Sequence, residues 1–284
     1  MKKRSRKIIT LVLLAVFFIG LSVLLYPSIS NFWNQKTQSK AVANYDKLME
    51  KLKPEDFTKL FEQADKYNKE LADLPFPLTQ YKELDGYKET LNVDGTGMLG
   101  YISIDKIQVE LPIYHSTDSS VLDVACGHLE GTSLPVGGKG THCVLSAHRG
   151  LPTAKLFTNL DKLENGDTFR ITVLDRVLTY EVDQIRIVTP REVKDLMIED
   201  DKDYCTLLTC TPYGINSHRL LVRGHRVENR SDRNVSVVSE AYVIDRFIVT
   251  PIVALPILLV LILYVCFKPA KKKLPIMEGE DDYE

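Results

Sequence analysis

YCTLLTCTPYGINSHRLLVRGHR, Tyr204 to Arg226, decides the reading of the fold. Tyr204 to Thr209 is rich in Thr, Leu and Tyr, which suits a half-buried strand. Pro212, Gly214 and Asn216 supply the turn residues for a reversal. From His218 onward Leu220 and Val222 alternate with Arg219 and Arg223, a returning strand with one polar face. A hairpin centred on this loop sets Cys210 about opposite Arg219 across its open end. A thiol at a strand terminus facing a guanidinium points to chemistry rather than packing.

Strand patterns continue upstream. Tyr101 to Asp105 and Gln108 to Ile113 have period-two patterning, with Val109, Leu111 and Ile113 on one face. Thr141 to Ala147 reads as a further strand ending at His148, and Phe169, Ile171 and Val173 alternate in the next. Leu178, Tyr180 and Val182 continue until the phase slips to Ile185 and Ile187, which predicts a bulge. Pro190 to Met197 reads as a short helix. Many short strands separated by turn signals predict a barrel or sandwich. The glycines of Gly137-Gly138-Lys139-Gly140 lead into a strand rather than a helix, so they predict a turn and not a phosphate loop.

Ahead of the strands, Phe57, Leu60, Phe61, Ala64, Tyr67 and Leu71 form one helical stripe, and Pro54 separates that helix from an earlier one ending near Leu52. Asp73-Leu74-Pro75-Phe76-Pro77 follows as an extended, Pro-stiffened loop.

The 284 residues, 44% hydrophobic and 26% charged, suit one domain with appendages. A net charge of -2 gives no electrostatic reason to expect nucleic acid as a partner. Ile8 to Tyr26 carries no charge, and at about 1.5 Å per residue it spans roughly 28 Å, close to a bilayer core. Lys2, Lys3, Arg4, Arg6 and Lys7 precede it, which places that end in the cytoplasm. A cleaved signal peptide is the alternative, with a poor cleavage site at Ser28-Ile29-Ser30. Phe247 to Phe267 is equally apolar and is followed by Lys268, Lys271, Lys272 and Lys273. The expected organisation is therefore a basic tail and membrane helix over 1–26, a helical segment with the Pro-stiffened loop at 73–77 over 27–96, a strand-rich domain over 97–228, a linker over 229–246, a second membrane helix over 247–267 and a cytoplasmic tail over 268–284. Both tails lie inside and the domain between them on the extracellular face of the cell membrane.

Five cysteines without regular spacing suggest neither a disulfide framework nor a zinc site, and nothing suggests a metal or an organic cofactor. Cys126, Cys143 and Cys205 have apolar neighbours and read as small buried residues. A free thiol is only a few per cent thiolate at neutral pH, so a nucleophilic Cys210 needs an adjacent cation or base. Of six histidines, His148 is preferred because it ends a strand and precedes the turn Arg149-Gly150. His218 lies on the opposite strand face from Arg219, and His115, His128, His142 and His225 read as surface or core residues.

TLLTC (Thr206 to Cys210) followed by Arg219, AHRG (Ala147 to Gly150), GHLEGTSLP (Gly127 to Pro135) and CTPYGINSHRLLVRG (Cys210 to Gly224) resemble the sortases, membrane-bound cysteine transpeptidases of Gram-positive bacteria, and most of all class C, the pilin-polymerising branch. The resemblance covers Gly97 to Val227 well. It implies a mainly β fold, a closed eight-stranded barrel, with Cys210 as nucleophile, His148 as the proton-transfer group and Arg219 as oxyanion donor. It implies cleavage of an LPxTG-like sorting signal between Thr and Gly, and transfer of the acyl group to a lysine of another pilin subunit. Class C sortases also carry a lid with an Asp-Pro-aromatic motif, whose acid pairs with the arginine while the aromatic covers the thiol. Here Pro75 and Phe76 match, but Leu74 stands where the acid belongs and Asp73 lies one place early.

A housekeeping sortase that anchors proteins to a peptidoglycan precursor is the nearest alternative, and the second apolar run and helical N-terminal region favour the pilin polymerase. A cysteine L,D-transpeptidase would need His and Gly directly before the cysteine, where Leu208 and Thr209 stand. The non-enzyme alternative is a two-span membrane scaffold whose cysteines only pack.

Overall fold

The computed structural model of the chain describes residues 2–229, together with 258 and 260. The expected second membrane helix, 247–267, lies outside the described residues except for Leu258 and Val260. Helix α1 spans Lys2–Met49 and contains Pro27, and part of it is long and apolar enough to cross a membrane. The strands and the helices packed on them belong to one compact unit, Ile29–Val235.

Eight strands close into a barrel: β1 (Met98–Ile104), β2 (Val109–His115), β3 (Cys126–His128), β4 (Thr141–Ser146), β5 (Thr168–Val173), β6 (Arg176–Val188), β7 (Asp203–Thr211) and β8 (His218–Val227). Their order around the barrel is β1-β2-β3-β4-β7-β8-β6-β5. Closure gives every strand a neighbour on both sides. Alternation sorts the side chains: Phe169, Ile171 and Val173 of β5, Leu178, Tyr180 and Val182 of β6, and Cys205 and Leu207 of β7 point into one buried core. The phase slip in β6 is a bulge between Val182 and Gln184. Beyond it Ile187 is 64% exposed, while the next residue, Val188, packs with Val144, Leu196 and Leu221 in a second, outer cluster. The helix expected over 190–197 is a single 3-10 turn at Lys194–Leu196.

Helix α2 (Pro54–Ala72) starts at Pro54, where proline suits a first helical turn. Its stripe buries Phe61, Ala64, Tyr67 and Leu71. Asn68, also buried, donates to the Leu134 carbonyl at 3.2 Å and accepts from the Leu134 amide at 2.7 Å, fastening α2 to the β3–β4 connection. Leaving either partner unmet in such a site costs about 1–3 kcal/mol. The C-terminal half of α1 is fastened similarly, with the Tyr45 hydroxyl donating to the Leu99 carbonyl at 3.0 Å and accepting from the Leu174 amide at 2.8 Å.

Candidate active site

β7 and β8 are antiparallel, and their register sets Cys210 directly opposite Arg219. Opposed residues in such a pair project from the same sheet face. That face differs from the one carrying Cys205: Cys205 and Leu207 belong to the interior core, whereas Leu208 packs outside with Val144, Val188, Leu196 and Leu221. Period two then carries Cys210, two residues beyond Leu208, to the outer face, where it is half-buried and a free thiol.

β4 runs parallel to β7, with Ser146 beside Leu208. The pairing outlasts the strand, since the Ala147 amide donates to the Leu208 carbonyl at 3.2 Å and Thr209 Oγ1 donates to the Ala147 carbonyl at 2.8 Å. His148 and Cys210 are the next residues beyond this last contact on the two segments. The His148 side chain is 34% exposed, and its Nε2 lies 3.7 Å from Asp123 Oδ1. The Arg219 guanidinium donates through Nη1 to the carbonyls of Asn216 and His218, each at 3.1 Å, which holds the guanidinium against the β7–β8 turn. That turn also touches the segment after His148: a Cβ on Gly150 would meet the Tyr213 ring at 2.7 Å, so only glycine fits beneath it, and its φ of +77 asks for glycine as well.

The other thiols sit in different surroundings. Cys126, Cys143 and Cys205 are buried, Cys143 beside Cys205 in the β4–β7 register. Burial pushes the Cys126 and Cys205 thiols up, away from the thiolate a nucleophile needs. Three histidines are structural. His128 binds the Tyr87 hydroxyl and the Ser133 carbonyl, His115 binds the Gly97 and Thr90 carbonyls, and His142 binds the Met197 carbonyl and Thr206 Oγ1. Burial holds His115 and His142 below the usual imidazole range. Among the described residues no cluster of His, Cys, Asp and Glu could hold a metal ion.

The loop at 73–77 departs in detail from the expected arrangement. Asp73 is exposed and caps the C-terminus of α2 through its amide, and Phe76 is 67% exposed. Phe76 instead starts the one-turn helix α3 (Pro77–Gln80), its carbonyl accepting from the Thr79 and Gln80 amides. Leu78, two residues on, packs into the outer cluster with Val144, Leu208 and Leu221. Gly131 makes this approach possible, since a Cβ there would lie 2.8 Å from the Leu78 Cα. The aromatic drew attention through its resemblance to a lid motif, while the one-turn helix hands the packing role to leucine. Asp123 was not singled out from the sequence either, because its approach to His148 depends on pairing between β2, β3 and β4.

The Sortase domain family matches residues 102–227. A solved structure of sortase C1 from Streptococcus agalactiae is 48% identical, with a TM-score of 0.63, covering 67% of this chain and 99% of that one. A sortase C from Streptococcus pneumoniae, whose structure was described for catalysis and pilin substrate specificity, is 42% identical, with a TM-score of 0.61 over 67% of this chain and 97% of that one. Sortase D of Bacillus subtilis is 30% identical over 131 residues, and the match spans 45% of this chain and 63% of that relative's length. The chain belongs to the sortase family of cysteine transpeptidases. Within that family its similarity to solved enzymes places it with class C.

Proposed function

We propose that this protein is a pilin polymerase. Cys210 attacks the Thr–Gly carbonyl of an LPxTG-like sorting signal, the Thr–Gly bond breaks, and the thioacyl intermediate is resolved by a lysine amine of another pilin subunit. The observation that carries the reading is the opposition of Cys210 and Arg219 at the open end of β7–β8, with His148 delivered to the same end by β4. In this scheme Arg219 donates charge-assisted hydrogen bonds to the developing oxyanion. His148 protonates the leaving amine and later takes the proton of the incoming one. The catalytic domain is held at the extracellular face by α1 and by the apolar run at 247–267. The enzyme should join a sorting-signal peptide to a lysine-bearing pilin fragment through an isopeptide bond, read by mass spectrometry. Transfer only to a peptidoglycan-stem amine would favour a housekeeping sortase instead.

The segment 73–80 supports a second element of the reading, a cover over the acyl site. Its anchor is Leu78, which packs on the sheet face that carries Cys210. Burial of this half-buried leucine is worth about 1 kcal/mol, roughly a fivefold shift in an opening equilibrium. Leu78→Ala should therefore speed modification of Cys210 by a bulky thiol reagent about fivefold, and Phe76→Ala and Asp73→Ala should change it less. Equal rates in wild type and Leu78→Ala would mean that the segment covers nothing.

A further inference from the structure

Asn31, Asn34 and Gln38 recur along α1 at intervals of three and four residues, which places them on one helix face. Each side chain ends on the backbone of a loop distant in sequence. Asn34 Nδ2 donates to the Thr153 carbonyl at 2.9 Å, Asn31 Oδ1 accepts from the Lys155 amide at 2.9 Å, and Gln38 Nε2 donates to the Val124 carbonyl at 2.6 Å. Gln38 is 7% exposed, so its bond is made away from water.

The loops gripped are the two that bracket His148. Thr153 and Lys155 belong to the segment that leaves His148 and returns to it, where the Phe157 amide donates to the His148 carbonyl at 3.1 Å. Phe157 is fully buried, so this return point is fixed. On the other side Val124 adjoins Asp123, whose carboxylate lies 3.7 Å from His148 Nε2. One helix face thus fixes both the loop that carries the His148 main chain and the carboxylate that faces its ring.

We infer that α1 is a positioning element for His148, acting through Asn31, Asn34 and Gln38, with Asp123 as the group that orients the imidazole. The inference rests on the reading of His148 as the proton-transfer group. A proton-transfer group displaced by about 1 Å loses on the order of a hundredfold in rate. Loosening one grip should displace it less, and should act on turnover rather than on substrate binding.

The bond polarities set the test. Asn31 is an acceptor, so Asn31→Asp keeps its bond. Asn34 and Gln38 are donors, so Asn34→Asp and Gln38→Glu place a carboxylate against a carbonyl oxygen. With the full chain in detergent and an LPxTG-type peptide, Asn31→Asp should turn over like wild type. Asn34→Asp and Gln38→Glu should lose about tenfold or more in kcat, with KM within about twofold. The ring resonances of His148 in a histidine-labelled sample should shift in those two variants and not in Asn31→Asp. Asn34 is only half-buried, so Asn34→Asp should remain folded even where Gln38→Glu does not. Wild-type kcat in Asn34→Asp, or equal losses in Asn31→Asp and Asn34→Asp, would overturn the inference. His148→Ala separates this from the parent reading. Full turnover in it removes that reading, whereas its inactivity beside a fully active Asn34→Asp removes the inference alone.

Discussion

Replacing Cys210 with alanine is expected to abolish the ladder of high-mass pilin polymers in cells while leaving the barrel folded. The side chain is half-buried on the outer face of β7, so its loss opens no cavity in the main core. The chemistry should disappear, because no other described thiol is placed to replace it. Loss of a nucleophile lowers kcat by on the order of 10⁶ where nucleophile and base act as a unit. Cys205→Ala is the matched control. That thiol lies on the same strand but points into the core, beside Cys143, and burial holds it in the neutral form. Cys205→Ala should cost stability, about 1 kcal/mol or more for a small buried group, and keep the ladder. Immunoblots of cell-wall extracts, read beside the melting temperature of each purified variant, check both halves.

His148→Ala carries the second large effect. Its imidazole has two tasks in the proposed cycle, protonating the amine that leaves and deprotonating the amine that arrives. Of the other described histidines only His218 lies at this end of β7. It stands opposite Thr211 on the sheet face away from Cys210, where it is exposed and bonded to Ser217 Oγ. His115, His128 and His142 are committed to buried hydrogen bonds, and His225 lies near Asp183, well along β8 from Arg219. Transpeptidation by His148→Ala should therefore fall below detection in a peptide-ligation assay. Arg219→Ala should lose less, on the order of a hundredfold in the acylation rate, the scale for one oxyanion donor. Stopped acylation followed by rapid quench distinguishes the two. The arginine variant should accumulate adduct slowly, and the histidine variant should release no leaving peptide.

Much of the hairpin was legible in the sequence because its geometry is local. Turn residues between Cys210 and Arg219, flanked by alternating strands, set the register, and β7 and β8 adopt it. The bulge in β6 was legible for the same reason, as a slip in a period of two. The position of His148 was not local. It needs the parallel pairing of β4 with β7, whose partners lie 62 residues apart, as in the Thr209–Ala147 bond, and no pattern within either strand specifies that neighbour. Resemblance supplied it. β3 escaped notice because three residues, Cys126–His128, are too few to show a period. The polar face of α1 was hidden by its setting after a long apolar run. Asn31, Asn34 and Gln38 look like ordinary exposed helix residues until the loops at Val124, Thr153 and Lys155 are seen beside them.

The central claim is that Cys210 forms a thioacyl intermediate at the open end of β7 and β8. It is tested most directly by mixing the enzyme with an LPxTG-type peptide in the absence of any amine acceptor, quenching in acid and mapping the adduct by mass spectrometry. The account predicts the added mass of the fragment ending in threonine on the peptide that contains Cys210, and none in Cys210→Ala. An adduct on Cys205, or product formation by Cys210→Ala, would contradict it.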